Sequence, residues 1–348
     1  MAAVPELSSV LVFENDIDNE LMCVWVYPKI ENEFKKLLTE KCELLASEHQ
    51  DTTFCYGQNN NSWYYIKRSN IKDAGVNDKV KDVYMIITAQ NFNPELYQAM
   101  GDVFMTSYFI NTSNVLTQYL SMYTNGYSMK DDATKLSHTD FNKKKAYLQV
   151  CMKELIMLFG VESILMYTGL LLKKRIVVYS PKLDTLLHIC RTLPAFVLHR
   201  LNWNIVYPFV HFTAAEVSEL KTLRSYVVGV TDSSVENQPE YYDLFLNVPD
   251  GEIVINPRSK EYFQMGKMHK DIAKYLVQAS EDEDTNDEDI IKELKKRTTD
   301  IISNLKSLDK ADPDDPKITI ELLQERNLTT TMQSFLYNLA SAEGIVKL

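Results

Sequence analysis

The chain has 348 residues, 45% of them hydrophobic and 24% charged, which is enough to bury two or three cores and is ordinary for a soluble protein. Its formal net charge of −11 at pH 7 argues against a general nucleic-acid binder and against a protein held on anionic lipid by electrostatics alone, since both need cations to displace counterions. Partners with basic faces stay open. No apolar signal segment follows Met1, so the chain is expected to stay in the cytosol, with the N-x-S/T triplets at Asn60, Asn111 and Asn327 unglycosylated.

The first lobe opens with two apolar runs, SSVLVFE and LMCVWVY, joined by the polar NDIDNE, which reads as a hairpin. In the following IENEFKKLLTEKCELLAS, residues Ile30, Phe34, Leu37, Leu38, Leu44 and Leu45 recur at spacings of three and four, so a helix lays one stripe on a core. TFCYG and SWYYIKR around QNNN form a second hairpin, VKDVYMIITAQ a further strand, and helices follow from Pro94 to about Ile110 and from about Asn114 to Tyr123. Strand, strand, helix, three strands and helices describe an antiparallel sheet with helices packed on it.

Residues 124–140, TNGYSMKDDATKLSHTD, lose the periodicity and gain turn formers and charge, which predicts a linker. A helix is expected from about Phe141 to Phe159. Leu155 to Leu172 then carries a single formal charge, Glu162, in eighteen residues, which approaches the length of a membrane span. A carboxylate near its middle, together with Gly160, Ser163, Thr168 and Gly169, favours a buried helix instead. Lys173, Lys174 and Arg175 would then sit at its C-terminus, offsetting the partial negative charge of the last carbonyls before the strand IVVYS. A long helix from Lys182 to about Leu201 comes next, with Pro194 expected to kink it or to end its first half. NIVYPFVHF, the polar helix AAEVSELKTL, SYVVGVTD, and DLFLNV with GEIVI complete a lobe whose strands are apolar throughout. That predicts a partly parallel sheet covered on both faces.

From Pro257 onward the pattern is helical only, over residues 258–280, 288–306, 318–327 and 329–346. EDEDTNDED at 281–289, with seven acids in nine residues, reads as a solvated loop that also places acids at a helix N-terminus. The five cysteines (Cys23, Cys42, Cys55, Cys151, Cys190) lie inside apolar patterns as reduced thiols do. An α/β lobe invites a nucleotide or hydrolase hypothesis, but the ten glycines form no phosphate loop, no G-x-S-x-G occurs, and the six histidines and five cysteines show no metal-ligand spacing. His188 and His199 read as hydrogen-bonded structural histidines on an apolar helix, and Glu162 as a carboxylate at the exposed edge of its helix. No cofactor, metal or catalytic residue is expected. The residues point to binding.

The run LLLKKRIVVYSPKLDTLL, then LHRLNWNIVYPFV, LRSYVVGV and LFLNVPDGEIVI, resembles the central segment of DENN-domain proteins. Through TAQNFNPELY, LLKKRIVVY and FLYNLASAE the chain is most similar to the short DENN domain-containing protein 10, or FAM forty-five, type. The resemblance implies an upstream longin-like lobe (1–123), a linker (124–140), a central three-layer α/β lobe (141–256) and a downstream helical segment (257–348). It implies guanine-nucleotide exchange on a Rab GTPase in endosomal traffic, in the cytoplasm with recruitment to endosomal membranes through partners, with no nucleic acid bound. In the family the GTPase lies across the upstream and central lobes. By position that selects Trp25, Tyr27 and Pro28, then Lys143, Lys144 and Lys145, and then Asp232, Glu236, Tyr241 and Asp243. The alternatives are an adaptor of the same shape that binds a Rab or an endosomal sorting or scaffold complex without exchange, and a small-molecule enzyme on the α/β lobe.

Overall fold

A computed structural model describes residues 6–47, 51–71, 79–129, 135–309 and 316–346, and it divides into two compact units. The first comprises residues 1–146 with 182–184, the second residues 147–181 with 185–348.

The first unit is built on a five-stranded antiparallel sheet. Its elements in chain order are β1 (Leu7–Asp16), β2 (Leu21–Tyr27), α1 (Asn32–Ser47), β3 (Phe54–Asn59), β4 (Ser62–Asn70), β5 (Val80–Ala89), α2 (Pro94–Ile110) and α3 (Thr112–Asn125). The order across the sheet is β2-β1-β5-β4-β3, with β1 and β5 centred on Leu11 opposite Ile86. The two faces of β4 show why helices cover both sides. Tyr65 stacks on Tyr97 of α2 at 4.4 Å and Lys67 pairs with Asp102 of α2 at 2.9 Å, while Tyr64 meets Phe34 of α1 and Arg68 donates to the Leu45 carbonyl near the end of α1. Arg68 is buried, so its charge is held by a two-pronged pair with buried Asp82 (3.2 and 3.1 Å). The region predicted as a linker contains a short antiparallel pair, β6 (Tyr127–Met129) with β7 (Lys135–Ser137).

The second unit begins with α4 (Met152–Phe159), reached after a 3-10 segment, Lys143–Leu148, where a single helix from Phe141 was expected. Residues 152–171 are long and apolar enough to cross a membrane by length and composition, yet they break at Gly160, whose φ of 53° and ψ of −132° only glycine adopts readily. Beyond the break, every residue of α5 (Ser163–Leu171) is buried within the unit. Glu162 is exposed at the start of α5, as expected of it. The helix ends in a Schellman arrangement: the Lys173 and Lys174 amides donate back to the Leu170 and Gly169 carbonyls, with Lys173 itself left-handed at φ 51°.

Strand β8 (Arg175–Tyr179) follows, then α6 (Leu183–Thr192), β9 (Val206–Tyr207), α7 (Ala214–Leu220), β10 (Tyr226–Val230), β11 (Leu244–Asn247) and β12 (Glu252–Ile255). The order is β12-β11-β8-β10-β9, parallel except for the β11–β12 hairpin. One face receives α5, whose Gly169 lies on Leu244 and Ile176, and α6, whose Cys190 lies on Gly229. The opposite face carries Val177, Val228 and Phe245 packed with Leu220 of α7 and Tyr242, so the unit has three layers. The helix predicted from Lys182 stops at Thr192 and continues as 3-10 turns through Pro194. His188 is exposed rather than hydrogen-bonded in a core, whereas His199 meets Glu343 at 3.3 Å.

The chain closes with α8 (Lys267–Glu281), α9 (Asp287–Lys306), α10 (Ile320–Gln324) and α11 (Thr330–Glu343). Part of the acidic stretch has a fixed role: the Asp287 carboxylate accepts the Met152 and Lys153 amides at 3.2 and 2.9 Å and so caps α4 from a remote point in sequence.

Candidate functional site

The residues selected from sequence fall into two groups, one on each unit. On the first unit, Trp25 and Tyr27 lie on β2, the terminal strand of its sheet. The β1–β2 register shifts between Val12 and Phe13, pairing Val12 with Trp25 and Phe13 with Cys23, so Val24 has no partner opposite it. A bulge of this kind reverses the alternation and turns Met22 to the same side as Trp25 and Tyr27. That side meets α3. Tyr27 packs edge-on against Tyr119 at 5.5 Å, Trp25 lies 6.4 Å from Tyr27, and Tyr119 stacks on Tyr123 at 5.9 Å.

The row is anchored at Tyr119, whose hydroxyl donates to the Ser8 carbonyl at 3.1 Å. Burial, with the Tyr123 and Tyr27 phenols beside it, pushes the Tyr119 phenol up to about 12, so it stays a donor. Around this anchor Met22, Val24, Tyr27, Leu120 and Tyr123 are each 40% to 55% exposed. Large apolar groups left in water along an unpaired edge strand are costly unless a partner covers them. Pro28 and Lys29 beyond the strand are exposed as well. The arrangement can bind an apolar or aromatic surface through preset rings. Sequence reasoning found Trp25, Tyr27 and Pro28 and missed Met22, Val24, Leu120 and Tyr123. The signal was present in LMCVWVY, which lacks a charged residue on either face.

On the second unit the four selected residues do different things. Asp243 is buried, and its oxygens accept Arg175 Nε (3.2 Å), Arg175 Nη2 (3.2 Å), the Arg175 amide (2.8 Å) and Ser259 Oγ (2.7 Å). Burial pushes its carboxyl up, but these hydrogen bonds and the Arg175 charge outweigh that and hold it below the usual range. Asp243 therefore latches the first residue of β8 to the first turn of the chain after β12. Asp232 is a cap, accepting the Ser234 amide and hydroxyl at 2.8 and 2.7 Å, and those bonds lower its carboxyl. Glu236 is half-buried and its carbonyl takes the Tyr242 hydroxyl at 2.7 Å, while the Tyr241 ring rests on Phe212 at 4.6 Å. Of the four, Asp243 is buried, whereas Asp232 is exposed and Glu236 and Tyr241 are half-buried, so these three keep side chains at a surface. Lys143, Lys144 and Lys145 lie in the 3-10 segment, and their side chains fall outside the described residues.

Residues 151–257 match a family described as stabilization of polarity axis, and residues 55–203 match one described as transport protein Avl9. A relative from Danio rerio called DENN domain-containing protein 10 is 37% identical over 350 residues, covering 99% of this chain and 100% of its own. A Homo sapiens protein of the same name is 34% identical over 341 residues, covering 97% of this chain and 96% of its own. One from Dictyostelium discoideum is 32% identical over 357 residues, covering 97% of each.

Proposed function

Because this chain belongs to the DENN domain-containing protein 10 family, we propose that it is a guanine-nucleotide exchange factor for a Rab-family GTPase in endosomal traffic. The observation that carries the reading is the end-to-end match to these relatives, since DENN domains generally act as Rab exchange factors. An exchange factor does no covalent chemistry. It binds the emptied GTPase more tightly than the loaded one, and by reciprocity weakens nucleotide binding by the same factor, each tenfold requiring about 1.4 kcal/mol of differential contact.

The aromatic row on β2 and α3 supports the reading with a surface of the right chemistry. Trp25, Tyr27 and Pro28 form its proposed first contact with the GTPase, and Asp232, Glu236 and Tyr241 an independent second one, with Asp243 behind them holding Arg175. Lys143, Lys144 and Lys145 stay part of the proposal by position alone. The protein works in the cytoplasm and reaches endosomal membranes through its partners, with the upstream, central and downstream division as its organisation.

The test is release of fluorescent GDP from a panel of Rabs mixed with the full-length protein. Faster release from one Rab is expected. Stable binding with unchanged release would replace exchange by an adaptor role, and a panel that stays unbound, emptied and loaded alike, would remove the reading altogether.

A further inference from the structure

The cationic turn between α5 and β8 is not consumed by the fold. Arg175 is committed to Asp243, but Lys173 and Lys174 line a cavity of about 420 Å³ together with Arg200. Leu170, Pro194, Val197 and Ile205 form an apolar wall, with Asn202 and Ser225 as neutral polar groups. The Asn202 Oδ1 accepts the Asn204 amide at 3.0 Å, so its NH2 is the end left to donate. The volume lies within the range of about 300–1,000 Å³ typical of small-molecule sites.

The charge count there is uneven. With Asp243 held by Arg175, the cations Lys173, Lys174 and Arg200 have two further carboxylates in electrostatic reach: Glu343, which binds Arg200 and also accepts from His199, and Glu261, which acts on Lys174. Arg200 further donates to the Leu170 and Leu171 carbonyls at 2.6 Å each, which offsets the negative end of α5. Lys174 lies 3.0 Å above the Tyr262 ring, a contact that positions its ammonium without neutralising it. Burial lowers the affinity of all three cations for their protons, with the Arg200 charge adding to this at Lys173, and it outweighs the nearby carboxylates, Glu343 at Lys173 and Arg200 and Asp243 and Glu261 at Lys174. This local excess occurs in a chain whose net charge is −11.

We infer that this cavity binds a phosphorylated polyol of the inositol-phosphate class, either free or as the headgroup of a membrane phosphoinositide. Phosphate supplies several strong acceptor oxygens for the two ammonium groups, the guanidinium and the neutral donors, and the apolar wall takes the carbon face of a ring. A bare inorganic anion would leave most of the volume unfilled.

The experiment is calorimetric titration of the full-length chain with inositol hexakisphosphate, inorganic phosphate and sulfate at matched ionic strength. It is joined by flotation with phosphatidylcholine vesicles doped either with a phosphoinositide or with phosphatidylserine to equal surface charge. Lys173→Gly keeps the left-handed turn while removing a cation, and Lys174→Gln keeps the stem; each is expected to weaken inositol-phosphate binding about tenfold. Lys36→Gln, on the exposed face of α1, should change nothing. Flotation with the phosphoinositide vesicles assigns the membrane source, and titration without flotation assigns the free compound; both uphold the site. Absence of saturable binding to inositol hexakisphosphate overturns it. So does equal flotation with phosphatidylserine, or wild-type affinity in a folded Lys173→Gly, Lys174→Gln double variant.

Discussion

Lys173 occupies a backbone position that belongs by preference to glycine. At φ 51° its Cβ crowds the following carbonyl, a cost of about 1–2 kcal/mol for an L-residue, yet the two Schellman bonds to Leu170 and Gly169 require that conformation. Lys173→Gly should therefore raise unfolding stability by about 1 kcal/mol after the added chain entropy of glycine is subtracted, read as a higher urea midpoint with unchanged slope. The same substitution is expected to weaken inositol-phosphate binding, so stability and affinity move in opposite directions.

His269 makes a second residue-scale argument. It is buried, its ring meets Phe335 edge-on at 4.5 Å, its Nδ1 accepts the Gly266 amide, and burial pushes it down to about 4. The folded chain thus refuses a proton that the unfolded chain takes up near pH 6.5. The stability that neutral His269 contributes is complete above pH 6.5 and is lost as pH falls toward 4, by on the order of 2–3 kcal/mol. Denaturant midpoints across that window should fall in the wild type, and His269→Gln should flatten that part of the slope.

Among elements, the α4–α5 junction and the β10 strand show two different reasons for a glycine. At Gly160 a Cβ would meet nothing within 4 Å, so Gly160→Ala is resisted only by the backbone angles, at a cost of about 1–3 kcal/mol. At Gly229 the angles are ordinary for a strand, but a Cβ would fall on the Pro208 carbonyl oxygen and 2.8 Å from Cys190 Sγ. Gly229→Ala must move backbone and should cost at least as much as Gly160→Ala in chemical denaturation, and Cys190→Ala should recover part of that loss alone.

The sequence made the regular parts of these elements legible because local pattern decides them. The α2 range matches its predicted limits, and the apolar runs around Arg175, Tyr226 and Leu244 became the parallel strands. What it hid was decided by distant groups or weak local signals. Three-residue β6 and β7 are too short to alternate, and Asp287 caps a helix more than a hundred residues before it. For the site, the aromatic content of β2 could be read directly. Its exposure could not, because the bulge at Val24 and the stacking of Tyr119 on Tyr123 depend on how β2 meets β1 and α3.

For the molecule as a whole, exchange reduces to one closed thermodynamic cycle. The factor by which bound GDP weakens the GTPase–protein complex must equal the factor by which the protein weakens GDP binding, and an adaptor has a factor of one. Truncating a partly desolvated aromatic at an interface costs about 1–3 kcal/mol, so Trp25→Ala and Tyr27→Ala should each weaken binding to emptied Rab by roughly ten- to a hundredfold. The effect on the coupling depends on when the rings are used. If they touch only the emptied GTPase, loaded-state affinity is unchanged, the coupling factor shrinks in step with the lost affinity, and GDP release slows. If they touch both states equally, both affinities drop together, the coupling stays as it was, and release at saturating protein is unaffected. Measuring both affinities and the release rate for wild type and Tyr27→Ala separates these cases. The exchange proposal requires the first pattern at some part of the surface; a cycle that closes on a factor of one in the wild type leaves only the adaptor.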